Sequence, residues 1–405
     1  MVGTISVKRK MTPSTRMPYP VFFSYLGYVI FSLFLAAAIL EIGSAVVRSA
    51  HHWVHSGKAE SLASASPAYQ GYPWAQEFWK EEKLRWGAHK GFDYIPFLVW
   101  GERPWHSKYI NVDESAMGNL RRTENPAKPA CSETERRVIW MFGGSTLFGL
   151  GVPDMATIPS YLSQDLNSTS TTCFLISNFG VEGYLTNQEL IQLVELLKRG
   201  QRPDLAIFYD GVNDSDAAVS PGTPNAHLEF GLIKSRVEGS IASKLDFLRK
   251  SSTIQMAGAL AARLRHDDSG ALPPSEVSAR ASAAVDNYEA NIRAARMLGQ
   301  AYNFKVYSFW QPSLAFGRKP LVPFEQQLWD IGPDSSAATP FRILRAVNEE
   351  AASRSPQNSG FVFLGHLFDS VKEPIYVDDH MHLGPRGNQI VADAMAKWIE
   401  SRPDN

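Results

Sequence analysis

Two residue types far apart in the chain would make a nucleophile and its base if folding brought them together. Val138 to Gly149 reads "VIWMFGGSTLFG", an apolar run that enters a glycine-rich turn carrying Ser145. A serine hydroxyl is a weak nucleophile until a neighbouring base takes its proton, so Ser145 alone is equally a turn former. The base is offered by "VDDHMHLGPRGN", Val377 to Asn388. Asp379 and His382 are three apart, and one helical turn would put both on the same side. A carboxylate on one imidazole nitrogen fixes the tautomer and leaves the other nitrogen to accept the serine proton. Asp378 and His380 are the nearest competitors for the acid and base roles.

The same run offers zinc ligands in Asp378, Asp379, His380 and His382, and "HHWVH", His51 to His55, is a second metal-like cluster. Further ligands from other strands are not evident, and the second cluster sits in an interfacial stretch, so no metal is assigned. "GGSTLFG" lacks the lysine of a phosphate-binding loop and the spacing of a dinucleotide fingerprint, so no cofactor is assigned either.

Two more segments bear on the chemistry. "NFGVEGY", Asn178 to Tyr184, places Gly183 where a backbone N–H is open to a ligand. "YDGVND", Tyr209 to Asp214, places Asn213 where its side-chain amide can donate to a developing oxyanion. Each also reads as a plain strand-to-helix turn. "FWQPS" offers Trp310 and Gln311 as a substrate-binding wall, with ordinary packing as the alternative.

These segments need elements to hold them. "RVIWMF", "TCFLISNFG", "DLAIFYDG", "FKVYSFWQP" and "GFVFLG" read as apolar strands. "TIPSYLSQDL" reads as a helix with Thr157 as its cap, and "TNQELIQLVELLKRG" as a helix with a Thr186–Glu189 capping box and Gly200 as its stop. "AAVDNYEANIRAARMLGQAY" and "GNQIVADAMAKWIESR" are further helices. Strands alternating with helices predict an α/β, three-layer α/β/α sandwich around a mainly parallel sheet, with sites outside the carboxyl ends of the strands.

The four chemical segments, in this order, resemble the SGNH, or GDSL-like, hydrolase superfamily over about Arg137 to the C-terminus. Gly143-Gly144-Ser145 matches the family's first block with Gly144 in place of its aspartate. Gly183 matches the second-block glycine, Gly211, Asn213 and Asp214 the third block, and Asp379 and His382 the last, with Gly387 at the family's spacing. The resemblance implies an acyl-ester hydrolase with Ser145 as nucleophile, His382 as base and Asp379 as its orienter. It also implies an oxyanion hole from the N–H groups of Ser145 and Gly183 and the amide of Asn213.

The remainder of the chain bounds context. Its 405 residues carry 40 basic and 41 acidic side chains, for a formal net charge of −1, which excludes a global field for nucleic acid. Val21 to Leu40 is an uncharged apolar run of 20 residues, about 30 Å as a helix, which matches a bilayer core. Lys8, Arg9, Lys10 and Arg16 precede it, predicting a single-pass anchor in the inner membrane with the N-terminus inside and the catalytic domain periplasmic or extracellular. A cleaved signal peptide is the competing reading. The expected divisions are a tail at 1–20, an anchor at 21–47, an aromatic-rich extension at 48–135 and a hydrolase-like domain at 136–405 with an insertion at about 215–274. Cys131 and Cys173 either pair in an oxidising compartment or remain free thiols. The expected substrate is an acylated, most simply acetylated, exported glycan or another ester. An envelope O-acyltransferase and a non-catalytic assembly factor of polysaccharide export are the alternatives.

Overall fold

The computed structural model describes residues 27–46, 63–89, 91–114, 119–126, 136–169, 172–219, 224–239, 251–256, 272–331, 339–355, 360–378 and 381–402. The chain divides into two units, Met1–Gly57 with Ser235–Asp267, and Lys58–Lys234 with Asp268–Asn405.

In the first unit, helix α1 (Gly27–Val46) has a mean hydropathy of 2.3, and by length and composition it can cross a membrane. Near its end, the Glu41 carboxylate accepts from the Ser251 hydroxyl at 2.6 Å and from the Ser252 and Thr253 N–H groups. Glu41 thereby caps a short helical turn that follows Ser251.

The second unit is built on an eight-stranded sheet of order β10-β9-β8-β6-β7-β5-β4-β3. Five strands run parallel: β6 (Arg136–Gly143), β7 (Cys173–Asn178), β8 (Leu205–Asp210), β9 (Lys305–Trp310) and β10 (Phe361–Phe363). Their registers include Met141 opposite Ile207 and Tyr209 opposite Phe309. The extension adds three short antiparallel strands at the β7 edge, β3 (Trp105–His106), β4 (Asn111–Asp113) and β5 (Leu120–Arg121). A separate ribbon pairs β1 (Phe92–Asp93) with β2 (Gly101–Glu102).

Strand alternation sorts side chains to two faces. Ile139, Met141, Ile207, Tyr209 and Phe309 point one way, into α4 (Ile158–Thr169) and the C-terminal helix (Pro385–Glu400). Trp140, Phe142, Ala206, Phe208 and Val306 point the other way. There they meet α5 (Thr186–Leu197), the long helix Pro274–Tyr302 and the helix Thr339–Arg354. The α/β three-layer expectation holds.

Some local expectations hold and one does not. Thr157 Oγ1 accepts from the Ser160 N–H at 3.3 Å, as a cap should. The Thr186–Glu189 capping box does not form. Thr186 Oγ1 instead donates to Asp214 Oδ1 at 2.6 Å, and Glu189 is buried against Asp210. Buried carboxylates need donors more than a helix start does, because an unmet acceptor in the core costs its full desolvation.

The extension is more regular than its sequence suggests. Ala75–His89 is a 15-residue helix, α2. Its tryptophans pack as rings on rings: Trp74 edge-on to Tyr69 and Phe78, Trp86 to Phe92, and Trp100 to Tyr184. Packing, not an open sugar platform, is the use the fold makes of most of them. Cys173 is disulfide-bonded, and Cys131, the chain's other cysteine, lies outside the described residues.

Candidate functional site

Ser145 opens a short helix, α3 (Ser145–Phe148), directly after β6, so its own N–H has no partner inside that helix. The turn is tight because Gly144 lies against a neighbouring side chain. A Cβ there would stand 2.3 Å from Nδ2 of Asn213, so any larger residue at 144 would force that amide to move.

His382 Nε2 lies 2.8 Å from Ser145 Oγ. Across the ring, Nδ1 lies 2.7 Å from Oδ1 of Asp378. The partners assign the tautomer: Nδ1–H donates to the carboxylate, and Nε2 accepts from the serine hydroxyl. Ser145 and His382 are buried, at 7% and 6% exposure, so bulk water does not compete for this bond.

The carboxylate on His382 Nδ1 is that of Asp378, the neighbour of the expected acid Asp379. Asp379 and His380 lie outside the described residues, as does the His51–His55 cluster. The spacing argument assumed a helical turn, but the residues flanking 379–380 pair with each other across that segment. Tyr376 bridges Leu383 in antiparallel fashion, and the Val377 N–H donates to the His382 carbonyl at 3.1 Å. In that geometry the residue four before the histidine is the one beside it. Among the described residues no group of three His, Cys, Asp or Glu side chains is placed to hold a metal ion.

Of the oxyanion candidates, Asn213 lies beside Gly144, the residue before Ser145. Asn213 sits in the first turn of α6 (Val212–Val219), and its Nδ2 donates to the Tyr184 carbonyl at 2.8 Å. That bond uses one amide hydrogen and orients the other. Gly183 has φ +77°, a conformation in which an L side chain is strained. Its face is covered: a Cβ would meet Leu228 Cδ1 at 2.7 Å and Trp100 Cζ2 at 3.4 Å. Leu228, 72% exposed beside Gly183, is a wall residue that the sequence did not single out. We expect Asn213→Ala to lower kcat on an aryl acetate about 10²–10³-fold with little change in KM. Wild-type kcat in that variant would remove Asn213 from the hole.

Trp310 and Gln311, expected as a substrate wall, are corrected to packing residues. Trp310 is fully buried, edge-on to Tyr288, with Nε1 donating to Asn348 Oδ1 at 2.9 Å. Gln311 Oε1 accepts from Thr146 Oγ1 at 3.0 Å. Trp310 ends β9 with its ring among the helices of one face, and Gln311, the next residue, turns its side chain to Thr146 beside the nucleophile. A cleft of about 530 Å³, lined by Phe316, Trp329 and His366 among others, lies under the loops after β9 and β10 and includes none of Ser145, Gly183, Asn213, Asp378 and His382.

Two buried charge clusters flank the site. Behind Asn213, burial raises the pKa of Asp214 to about 6 and those of Asp210 and Glu189 well above the carboxylate range. Burial is the main cause for Glu189 and Asp210 alike, and the neighbouring carboxylate charges, Asp210 on Glu189 and Asp214 on each, add to it.

Beside Gly183, Arg85 of α2 binds three glutamates: Glu82 at 2.8 Å, Glu102 at 3.0 Å and Glu182 at 2.5 Å. One guanidinium cannot balance three carboxylates, and burial together with the Glu182 charge pushes Glu102 up to about 8. The folded chain therefore holds a proton that the unfolded chain releases near 4.5. This contribution to stability is complete below about pH 4.5 and is lost as pH rises toward 8. In Glu102→Gln, urea midpoints should fall less steeply across that window. An unaltered slope would refute the assignment.

No family model matches the chain, and no curated protein matches it. Among solved structures it is similar to an acetyl xylan esterase, AlAXEase, at 16% identity over 65% of this chain and 99% of that one, with a TM-score of 0.35. A member of the lipolytic protein G-D-S-L family from Veillonella parvula is similar at 12% identity over 66% and 99%, with a TM-score of 0.35. Axe2, an acetylxylan esterase from Geobacillus stearothermophilus, is similar at 14% identity over 65% and 94%, with a TM-score of 0.32.

Proposed function

We propose that this protein is a serine esterase that removes acyl groups, acetyl most simply, from an exported or cell-surface polysaccharide. The observation that carries the reading is the chain of contacts from Ser145 Oγ to His382 Nε2, and from Nδ1 to Asp378. Ser145 Oγ attacks the ester carbonyl as Nε2 takes its proton, and Asp378 stabilises the resulting imidazolium. The oxyanion is received by the N–H groups of Ser145 and Gly183 and the free amide hydrogen of Asn213. The tetrahedral centre collapses, the C–O bond to the alcohol breaks, and His382 protonates the leaving oxygen. Water, deprotonated by the same imidazole, then releases the acid and restores the serine.

The cellular setting rests on two features. Helix α1 is long and apolar enough to span a bilayer, and basic residues precede it, which favours an inner-membrane anchor with the hydrolase outside. The disulfide at Cys173 suits an oxidising compartment. A reporter active only outside the cytoplasm, fused after Gly57, should be active and membrane-bound; cytoplasmic placement would reverse the topology.

The direct test is acetate release by purified protein across a panel of acetylated glycans, acylated lipids and small esters. Release of free acetate from a glycan supports the proposal. Turnover only with an added alcohol acceptor would make the protein an acyltransferase. No turnover, with no labelling of Ser145 by a serine-directed phosphonate, would leave an assembly factor without catalysis.

A further inference from the structure

The residue before Gly183 is held at every polar group by the extension. The Glu182 carboxylate accepts from Arg85 Nη2 at 2.5 Å. The Glu182 N–H donates to Glu102 Oε1 at 3.1 Å. The Glu182 carbonyl accepts from Trp100 Nε1 at 2.9 Å. Arg85, Trp100 and Glu102 all belong to the segment between the anchor and the first strand of the parallel sheet, and all three are buried.

The third of these bonds bears on chemistry. A peptide unit is planar and trans, so the carbonyl of Glu182 and the N–H of Gly183 lie in one plane and point in opposite directions. Fixing the carbonyl with an indole N–H therefore aims the Gly183 N–H. The left-handed φ of Gly183 makes that plane free to rotate unless something holds it. Arg85 adds a second tie. Its guanidinium lies 5.1 Å from the ring centroid of Phe148, which ends the helix that Ser145 opens. One side chain thus touches both the nucleophile's helix and the residue preceding Gly183.

We propose that the aromatic extension completes the oxyanion hole, with Trp100 and Arg85 as positioning residues that orient the Gly183 N–H relative to Ser145. This rests on the esterase reading and on the place of Gly183 in the hole. Neither residue touches the reacting atoms, and each acts through the Glu182–Gly183 peptide. An active site assembled this way is incomplete without the segment that joins it to the anchor.

Trp100→Phe keeps an aromatic ring against Tyr184 and removes only the donor to Glu182. Arg85→Lys keeps a positive charge beside Glu182 and removes the fork and the face over Phe148. Full-length wild type, both variants and Ser145→Ala are compared on an aryl acetate, with thermal unfolding of each. Misaiming one donor should lower kcat about 10- to 100-fold in Trp100→Phe, with KM nearly unchanged and the unfolding transition intact. Arg85→Lys should shift kcat in the same direction by a smaller factor. A wall residue would instead raise KM, and a purely structural one would lower the unfolding temperature with kcat per folded molecule unchanged; either result overturns the proposal. If wild type turns over through Ser145 and Trp100→Phe matches it, the positioning role alone fails. Absence of any Ser145-dependent turnover overturns this inference and the esterase reading together.

Discussion

Ser145→Ala and His382→Ala should each lower kcat on an aryl acetate by about 10⁴–10⁶-fold, because nucleophile and base act as one unit and loss of either abolishes the covalent route. The geometry behind the expectation is the 2.8 Å contact between Ser145 Oγ and His382 Nε2, inside a site where both residues are nearly sealed from water. Folding should be little affected in Ser145→Ala, since one hydrogen bond is worth about 1 kcal/mol net. The check is steady-state kinetics on protein shown to be folded by circular dichroism. Turnover within tenfold of wild type in either variant would end the assignment of these two residues. The double variant should be no worse than either single one; additive losses would show that they do not act as a unit.

The second expectation separates two adjacent aspartates. Asp378→Asn should lower kcat about 10⁴-fold, as the amide presents the wrong hydrogen-bond pattern to Nδ1 and cannot stabilise the imidazolium. Asp379→Asn should stay within about threefold of wild type, the range of a substitution that leaves the transition state alone. The basis is the 2.7 Å contact of Asp378 Oδ1 with His382 Nδ1. The reverse result would restore the spacing three before the histidine and require the loop to be redrawn.

That aspartate shows where reading along the chain succeeds and where it stops. Ser145, Gly183 and Asn213 could be singled out because each follows an apolar strand, and parallel strands must deliver their carboxyl ends to one side of the sheet; His382 meets Ser145 from a loop well past β10. Which carboxylate meets His382 was not legible, because Asp378 is brought there by backbone pairing on either side of the loop. The backbone bonds that decide this, Val377 to His382 and Gly384 to Ile375, are tertiary facts about one loop. Trp310 was misread for a related reason. Standing at a strand end does not say which face the side chain takes, and here the ring lies buried beside Tyr288.

Periodic, short-range information was enough for the three-layer architecture, the long apolar N-terminal helix and the choice of Ser145 and His382, which the fold brings together. Apolar spacing reports burial, burial selects strand or helix, and a parallel sheet then places every loop. The extension was beyond that reach. Arg85, Glu102 and Glu182 carry no periodic mark, and the attraction between them exists only after the chain has brought together positions 97 apart and excluded water from their meeting point. Side chains that act by charge and by the orientation of a single peptide plane are set by where the chain returns, and one-dimensional order holds no record of that.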